Sequence, residues 1–174
     1  EREHGTIEHL LVMPVRASEI AMAKILTNGV VIQVAALLSL WLVVHKGLGV
    51  PLPGSIGLFV ISSALYLFSV TSLGMFLATL APTMPQFGLL AVPVYAVAYV
   101  MSGAATPVES MSPALQSVVR FLPTTQFVYI AQATLYRSAG IDVVWPQIGG
   151  VVIWGGLFLA LALARFRTML ERAG

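Results

Sequence analysis

Residues 56–80 read IGLFVISSALYLFSVTSLGMFLATL, an apolar run that contains no charged side chain. A helix needs about 20 mostly apolar residues to cross a bilayer. This stretch is long enough, and its only polar side chains are hydroxyls. It therefore predicts a membrane-spanning helix and decides the fold class.

The whole chain has the composition of a membrane protein. It has 174 residues, of which 58% are hydrophobic and 9% charged, and its mean hydropathy is +0.92. A soluble domain carries about 25% charged residues. We therefore predict an all-α, polytopic membrane helix bundle with four transmembrane helices. Its predicted parts are a cytoplasmic segment at 1–22, spans at 23–44, 56–80, 84–104 and 148–164, and an outer helical hairpin at 105–147.

The predicted outer hairpin contains two short helical patterns. In SPALQSVVRFLP, Ser112 is placed to cap a helix that Pro123 stops. In the next pattern, Thr124 or Thr125 is placed as the cap and Gly140 as the end. Neither pattern is long and apolar enough to span a membrane. They predict an interfacial or re-entrant hairpin outside the cytoplasm.

The distribution of basic residues predicts the orientation. If both ends lie on one side, that side holds six of the nine lysines and arginines: Arg2, Arg16, Lys24, Arg165, Arg167 and Arg172. The other side holds Lys46, Arg120 and Arg137. Because basic residues concentrate in cytoplasmic loops, we expect both ends of the chain in the cytoplasm.

Two amides interrupt the first predicted span. Asn28 and Gln33 must face a partner helix or a cavity, since lipid offers them no hydrogen bond. They either join helices or line a substrate path. No Asp, Glu or Arg lies deep in a predicted span. This counts against a proton-coupled carrier, which usually needs an intramembrane carboxylate.

Glycines in the last predicted span allow close helix packing. They are Gly149, Gly150, Gly155 and Gly156, and Gly149 and Gly156 lie two turns apart on one face. The packing partner is either this subunit or a second one.

The chain opens with EREHGTIEHLLVMPVRASEIAMAKIL, residues 1–26, which holds much of the chain's charge. Ile7, Leu10 and Leu11 fall on one helical face, and Pro14 ends the helix. The pattern predicts a short helix on the cytoplasmic membrane surface. Such a helix either anchors the first span or docks a soluble partner.

Two motifs give the chain a family resemblance. EREHGTIEHLLVMPVRASEIAMAKI resembles the cytoplasmic segment of the membrane subunits of type-2 ABC exporters, in which a Glu-Arg-Glu-x-Gly-Thr-x-Glu run precedes Leu-Leu, Pro, Glu-Ile and Lys-Ile. SGAATPVESMSPALQSVVRFLPTTQFVYIAQATLYRSAGIDVVWPQ is similar to the outer segment of those subunits. The resemblance covers essentially the whole chain. Gln126 and Gln132 depart from it, because relatives often carry His and Arg there.

The resemblance implies a permease subunit in the bacterial inner membrane. Such subunits have six spans, and this chain corresponds to their C-terminal half. Two permease subunits pair, as a homodimer or a heterodimer, and each binds a cytoplasmic ATP-binding subunit. A periplasmic adaptor is a further candidate partner. The residues that the resemblance assigns to ATPase coupling are Glu1, Arg2, Glu3, Gly5, Thr6, Glu8, Leu10 and Pro14.

Candidates for an outer gate lie in the predicted hairpin: Pro107, Glu109, Met111 and Pro123. Two structural roles are alternatives to a gating role for Glu109. It either caps the helix that follows or pairs with Arg120.

The sequence predicts no chemistry of its own. It carries no GxxxxGK[ST] phosphate loop, so we expect the chain to bind no cofactor and a partner subunit to use the ATP. It has no cysteine, and His4 and His9 lie on different faces of a helix. We therefore expect no catalytic or metal-binding residue, and no basic run with aromatics suggests nucleic acid.

Two other classes of function remain. A secondary carrier or channel would need no ATPase. A membrane-embedded hydrolase would need a nucleophile and a base at one depth, and no recognisable sequence context supplies them.

Overall fold

The structure, a computed structural model, describes residues 17–171, and every regular element in this range is helical. The elements are α1 (Ala17–Ser39), which continues as a π-helix (Leu40–Gly47), α2 (Ile56–Leu80), α3 (Met84–Val100), a 3-10 turn (Val108–Ser110), α4 (Pro113–Val119), α5 (Pro123–Tyr136) and α6 (Ile141–Glu171). The all-helical prediction is confirmed for the described range.

Helix α2 covers the residues predicted from the sequence, and side-chain caps fix the starts of α2 and α3. The hydroxyl of Ser55 accepts a hydrogen bond from the amide of Leu58 at 3.3 Å. Thr83 caps α3 by accepting from the amide of Gln86 at 3.5 Å. Each cap satisfies a backbone donor that the first helical turn leaves unpaired.

Helix α3 is shorter than the predicted span at 84–104. It ends at Val100, where Ser102 donates to the carbonyl of Tyr99 at 2.6 Å and Gly103 adopts φ +89°. At a rise of about 1.5 Å per residue, its 17 residues extend about 25 Å. This is short of the roughly 30 Å hydrocarbon core of a bilayer.

Within residues 17–171, three helical stretches are long and apolar enough to cross a membrane: Met22–Gly47, Ile56–Leu80 and Ile141–Phe166. Helix α3 is apolar but falls below that length. The structure therefore supports a membrane helix bundle and leaves the predicted count of four spans unconfirmed.

The last helix begins at Ile141, well before the predicted start of the span at residue 148. Pro146 lies inside this helix. A proline removes only its own amide bond, and near the start of a helix the neighbouring amides lack partners in any case. The predicted span at 148–164 therefore lies within a helix that starts seven residues earlier.

The start of α5 also differs from the prediction. Leu122 is its N-cap and Pro123 occupies the first turn, so neither Thr124 nor Thr125 is the cap. The fixed φ of proline suits a first helical turn. Pro123 thus begins the second short helix rather than only ending the first. The helix ends at Tyr136, before the predicted Gly140.

The π-helical end of α1 brings an aromatic ring and a cation together. Its i→i+5 register places the ammonium of Lys46 4.1 Å from the ring centroid of Trp41. A Trp–Lys pair is typical of a span that ends at a membrane interface.

Helix α5 packs against both α2 and α6 and runs antiparallel to α2. Phe127, near its start, stacks on Tyr66 of α2 with ring centroids 4.3 Å apart. Near its end, a Cβ on Gly54 would lie 2.6 Å from the carbonyl carbon of Thr134. The buried core joins α5 to α6 through Ile130, Ala133, Val144 and Val151.

The turn between α4 and α5 lies well inside the length of the bundle. Trp154 donates its indole N–H to the carbonyl of Phe121 in this turn. At about 1.5 Å per residue, Trp154 lies about 20 Å along α6 and Tyr66 about 15 Å along α2. The turn therefore contacts the middle of the long helices and not their ends.

Candidate functional site

The residues predicted to couple the chain to an ATPase lie outside the described range. They are Glu1, Arg2, Glu3, Gly5, Thr6, Glu8, Leu10 and Pro14. Their role stays a prediction. The described part of the candidate site consists of polar side chains within the bundle and of the segment between α3 and α6.

The two amides of α1 have different surroundings. Asn28 is exposed, whereas Gln33 is half-buried and reaches α2. Its Nε2 donates to Oγ of Ser63 at 2.8 Å and approaches the carbonyl of Val60 at 3.4 Å. Its Oε1 is buried without a partner. Gln33 thus joins two helices, and a path-lining role for either amide stays a prediction.

Helix α2 carries a face of small hydroxyl side chains that sequence reasoning missed. Ser62 and Ser72 donate to the carbonyls one turn earlier in their own helix, at 2.8 and 2.7 Å. Ser69 is fully buried, and its Oγ has no partner. The sequence does contain a pattern that predicts this face. The serines are spaced by seven and then three residues, which places them on one side of a helix.

This face lets α6 approach α2 closely. A Cβ at Gly155 would lie 2.8 Å from Cδ1 of Phe68 and 3.1 Å from Cα of Ser69. The sequence pattern places Gly149 and Gly156 on one helical face. A Cβ added at either position would have no atom within 4 Å. Of the glycines marked for packing, Gly150 and Gly155 therefore contact the rest of the described structure closely.

The predicted gate residues fall in two places. Pro107 and Met111 flank the 3-10 turn before α4, which contains Glu109, and Pro123 is buried at the start of α5. Gln116 of α4 donates to the carbonyls of Met111 at 2.9 Å and of Glu109 at 3.3 Å. Sequence reasoning gave Gln116 no such role. The side chain of Glu109 is exposed, and a gating role stays a prediction.

Side chains from α5 and α6 hold the turn between α4 and α5. Trp154 donates to the carbonyl of Phe121 at 2.7 Å. Gln126 donates from Nε2 toward the carbonyls of Arg120 and Phe121 at 3.4 and 3.5 Å. Thr125 donates to the carbonyl of Met101 after α3 at 3.3 Å. Sequence analysis noted Gln126 only as a departure from the family pattern.

The chemistry available at these positions is hydrogen bonding. The polar side chains that contact neighbouring elements are hydroxyls, amides and an indole N–H. Such groups can fix helices and turns, present donors and acceptors to a passing molecule, and exchange partners when helices move.

Comparison with known proteins places the chain among transport proteins. The profile of the family described as "ABC-2 type transporter" matches residues 1–136. No solved structure matches the chain.

Several curated relatives are similar over most of the chain. The "Inner membrane transport permease YhhJ" of Escherichia coli K12 is 52% identical over 167 residues, which is 96% of this chain and 45% of that protein. The "Probable multidrug ABC transporter permease YbhR" of the same strain is 28% identical over 170 residues, with the same two coverages. The "Probable multidrug ABC transporter permease YbhS" is 29% identical over 147 residues, or 83% of this chain and 38% of that protein. The chain thus spans less than half the length of these relatives.

Proposed function

This chain belongs to the ABC-2 type transporter family, and we propose that it acts as part of the permease subunit of an ATP-driven exporter. The observation that carries the proposal is the family match over residues 1–136. That range includes the charged opening segment, the first two helices of spanning length and most of the segment between α3 and α6.

The exposed surface of the described bundle supports a membrane location. In α1, Val31 is 64% exposed, and in α3, Leu89 is 76% exposed. Apolar faces of this extent are unfavourable in water but suit lipid or a neighbouring membrane helix. A relative named as an inner membrane permease supports the inner membrane as the location.

The energy comes from a separate protein. The chain has no phosphate-binding loop, so a cytoplasmic ATP-binding subunit binds and hydrolyses ATP. Residues 1–14 dock on that subunit and transmit its closure to α1. A second permease subunit, identical or related, completes the path. Both ends of this chain face the cytoplasm, in keeping with its basic residues.

Helix α3 and the hairpin together serve as the fourth crossing. Helix α3 covers about 25 Å of the bilayer, at about 1.5 Å per residue. The chain then turns at Met101, which Thr125 contacts at the start of α5. Helix α5 continues past Tyr66 toward Gly54, which precedes α2. This arrangement favours a re-entrant hairpin that enters from the outer face.

The polar groups of the bundle lie along the path in this account. Gln33 and Asn28 of α1 contribute donors and acceptors, and Gln33 already bonds to Ser63. The segment with Pro107, Glu109 and Met111 forms the outer gate, together with Pro123. A molecule that passes these groups meets the uncharged amides of Asn28 and Gln33 and, at the outer gate, the carboxylate of Glu109.

The test uses the intact permease in liposomes, with and without its cognate ABC ATPase. This chain has no cysteine, so once any cysteine in the rest of the permease is replaced, Ser117→Cys on the exposed surface of α4 gives a single reporter. We expect ATP with vanadate to change the rate at which an impermeant maleimide labels this cysteine, and only when the ATPase is present. Such coupling follows because nucleotide binding biases the permease between two conformations.

An ion gradient provides the control for this measurement. If labelling responds to a proton or sodium gradient without the ATPase, and not to ATP with it, the chain is a secondary carrier and the proposal is wrong.

A further inference from the structure

The turn between α4 and α5, residues 120–122, presents backbone acceptors at mid-length of the bundle, and both Arg120 and Phe121 are exposed there. Helix α4 ends at Val119 and α5 starts at Pro123, so the carbonyls of Arg120 and Phe121 lie between two helices. Unpaired carbonyls are costly away from water. Donors for them must come from side chains.

Two side chains supply these donors. The indole N–H of Trp154 donates to Phe121 at 2.7 Å, a short bond from the middle of α6. The amide of Gln126 donates to both carbonyls at 3.4 and 3.5 Å, which are long bonds. One strong contact and two weak ones therefore tie the turn to its surroundings.

A glycine on α6 makes the space for Gln126. A Cβ at Gly150 would overlap Oε1 of Gln126 and would lie 2.7 Å from its Cδ. At Gly149, the next residue back, the same Cβ would meet nothing within 4 Å. Of these two neighbouring glycines, only Gly150 contacts Gln126, and a side chain at residue 150 would occupy the space that Gln126 fills.

The contact is incomplete, because an acceptor atom of Gln126 remains unpaired. Oε1 of Gln126 is buried without a partner, and so is Oε1 of Gln147, one turn before Gly150 on α6. Unpaired buried acceptors weaken the arrangement that contains them. The unpaired oxygen of Gln126 lowers the cost of separating the turn from α6.

We propose that Gln126 and Trp154 are positioning residues that hold this turn against Gly150 in the resting state, and that the turn separates from α6 when the path opens outward. The inference rests on the proposed permease function. It assigns the gating movement to the Gln126–Gly150 contact, since the separation breaks these side-chain bonds without unfolding a helix.

The test measures maleimide labelling of the Ser117→Cys reporter in the resting permease–ATPase complex. Gly150→Ala should raise the resting labelling rate about fivefold or more, the lower end of what overpacking does to an equilibrium. Gly149→Ala, its matched control, should leave the rate unchanged. Trp154→Phe, which removes the N–H and keeps a ring, should also raise the rate.

A double variant shows whether the effect passes through Gln126. Adding Gly150→Ala to Gln126→Ala should change nothing further, because the group that the new methyl meets is gone. A full additional increase would overturn the proposal, as would equal rates in the Gly150→Ala and Gly149→Ala proteins. If the Gly150→Ala protein does not assemble, the resting labelling rate of Trp154→Phe tests the proposal instead, because this variant leaves the helix contact at Gly150 intact. An unchanged rate in Trp154→Phe would then overturn the proposal.

Failure of the two proposals can be told apart. If ATP and vanadate never alter labelling of the reporter, the permease function fails, while the resting rates of the variants still test the contact. If nucleotide alters labelling but all variants match the reporter protein, the permease function stands and the positioning roles are wrong.

Discussion

Replacing Glu1, Glu3 and Leu10 together with alanine should separate the permease from its ATPase. In the proposed docking segment these residues contribute two charges and part of the apolar face. Truncating one interface hot spot costs about 2 kcal/mol or more, about 30-fold in affinity. We therefore expect complete loss of the complex at micromolar concentration and of the response of the Ser117→Cys reporter to ATP.

The control for this triple variant is Asp142→Asn. It removes a carboxylate at the start of α6, on the side of the membrane predicted to be outer. It should retain both the complex and the response to nucleotide. Retention of both properties in the triple variant would show that the docking segment is wrongly assigned.

Gly155→Ala should destabilise the bundle, whereas Gly156→Ala should not. A methyl at residue 155 would press on Phe68 and Ser69 of α2, but at residue 156 it would meet nothing within 4 Å. Overpacking costs about 1–3 kcal/mol, which lowers the melting temperature by roughly 2–12 °C.

Both alanines also gain about 1 kcal/mol of helix propensity over glycine. The difference between the two variants therefore isolates the steric term at the α2–α6 contact. Thermal unfolding of the purified proteins in the same detergent measures it. Equal melting temperatures would mean that α6 does not pack on α2 through Gly155.

Regular features of the fold could be predicted from sequence because their causes are local. The apolar run at 56–80 becomes α2 with the predicted bounds, and Thr83 caps α3 as its position suggests. Hydropathy and capping depend on neighbouring residues only. Hydropathy placed the last span at 148–164, whereas α6 begins at Ile141, because a helix can extend beyond its apolar stretch and a proline near its start costs little.

The candidate site could be predicted only in part, because its contacts join distant segments. Gln33 was noticed as a polar residue in a span, but its partner Ser63 lies on another helix. The sequence indicated close packing at Gly150, and the structure shows that the side chain packed there is Gln126. No periodicity in the sequence pairs residues 126 and 150. The coupling residues were found by resemblance alone and lie outside the described range.

The most direct measurement is maleimide labelling of a single cysteine at residue 3, Glu3→Cys, in vesicles of known orientation. This chain has no other cysteine, and with any cysteine in the rest of the permease replaced, the label reports one position. The account predicts labelling in inside-out vesicles and protection when the ATPase is bound. Labelling from the outer face of right-side-out vesicles, with no protection by the ATPase, would contradict it.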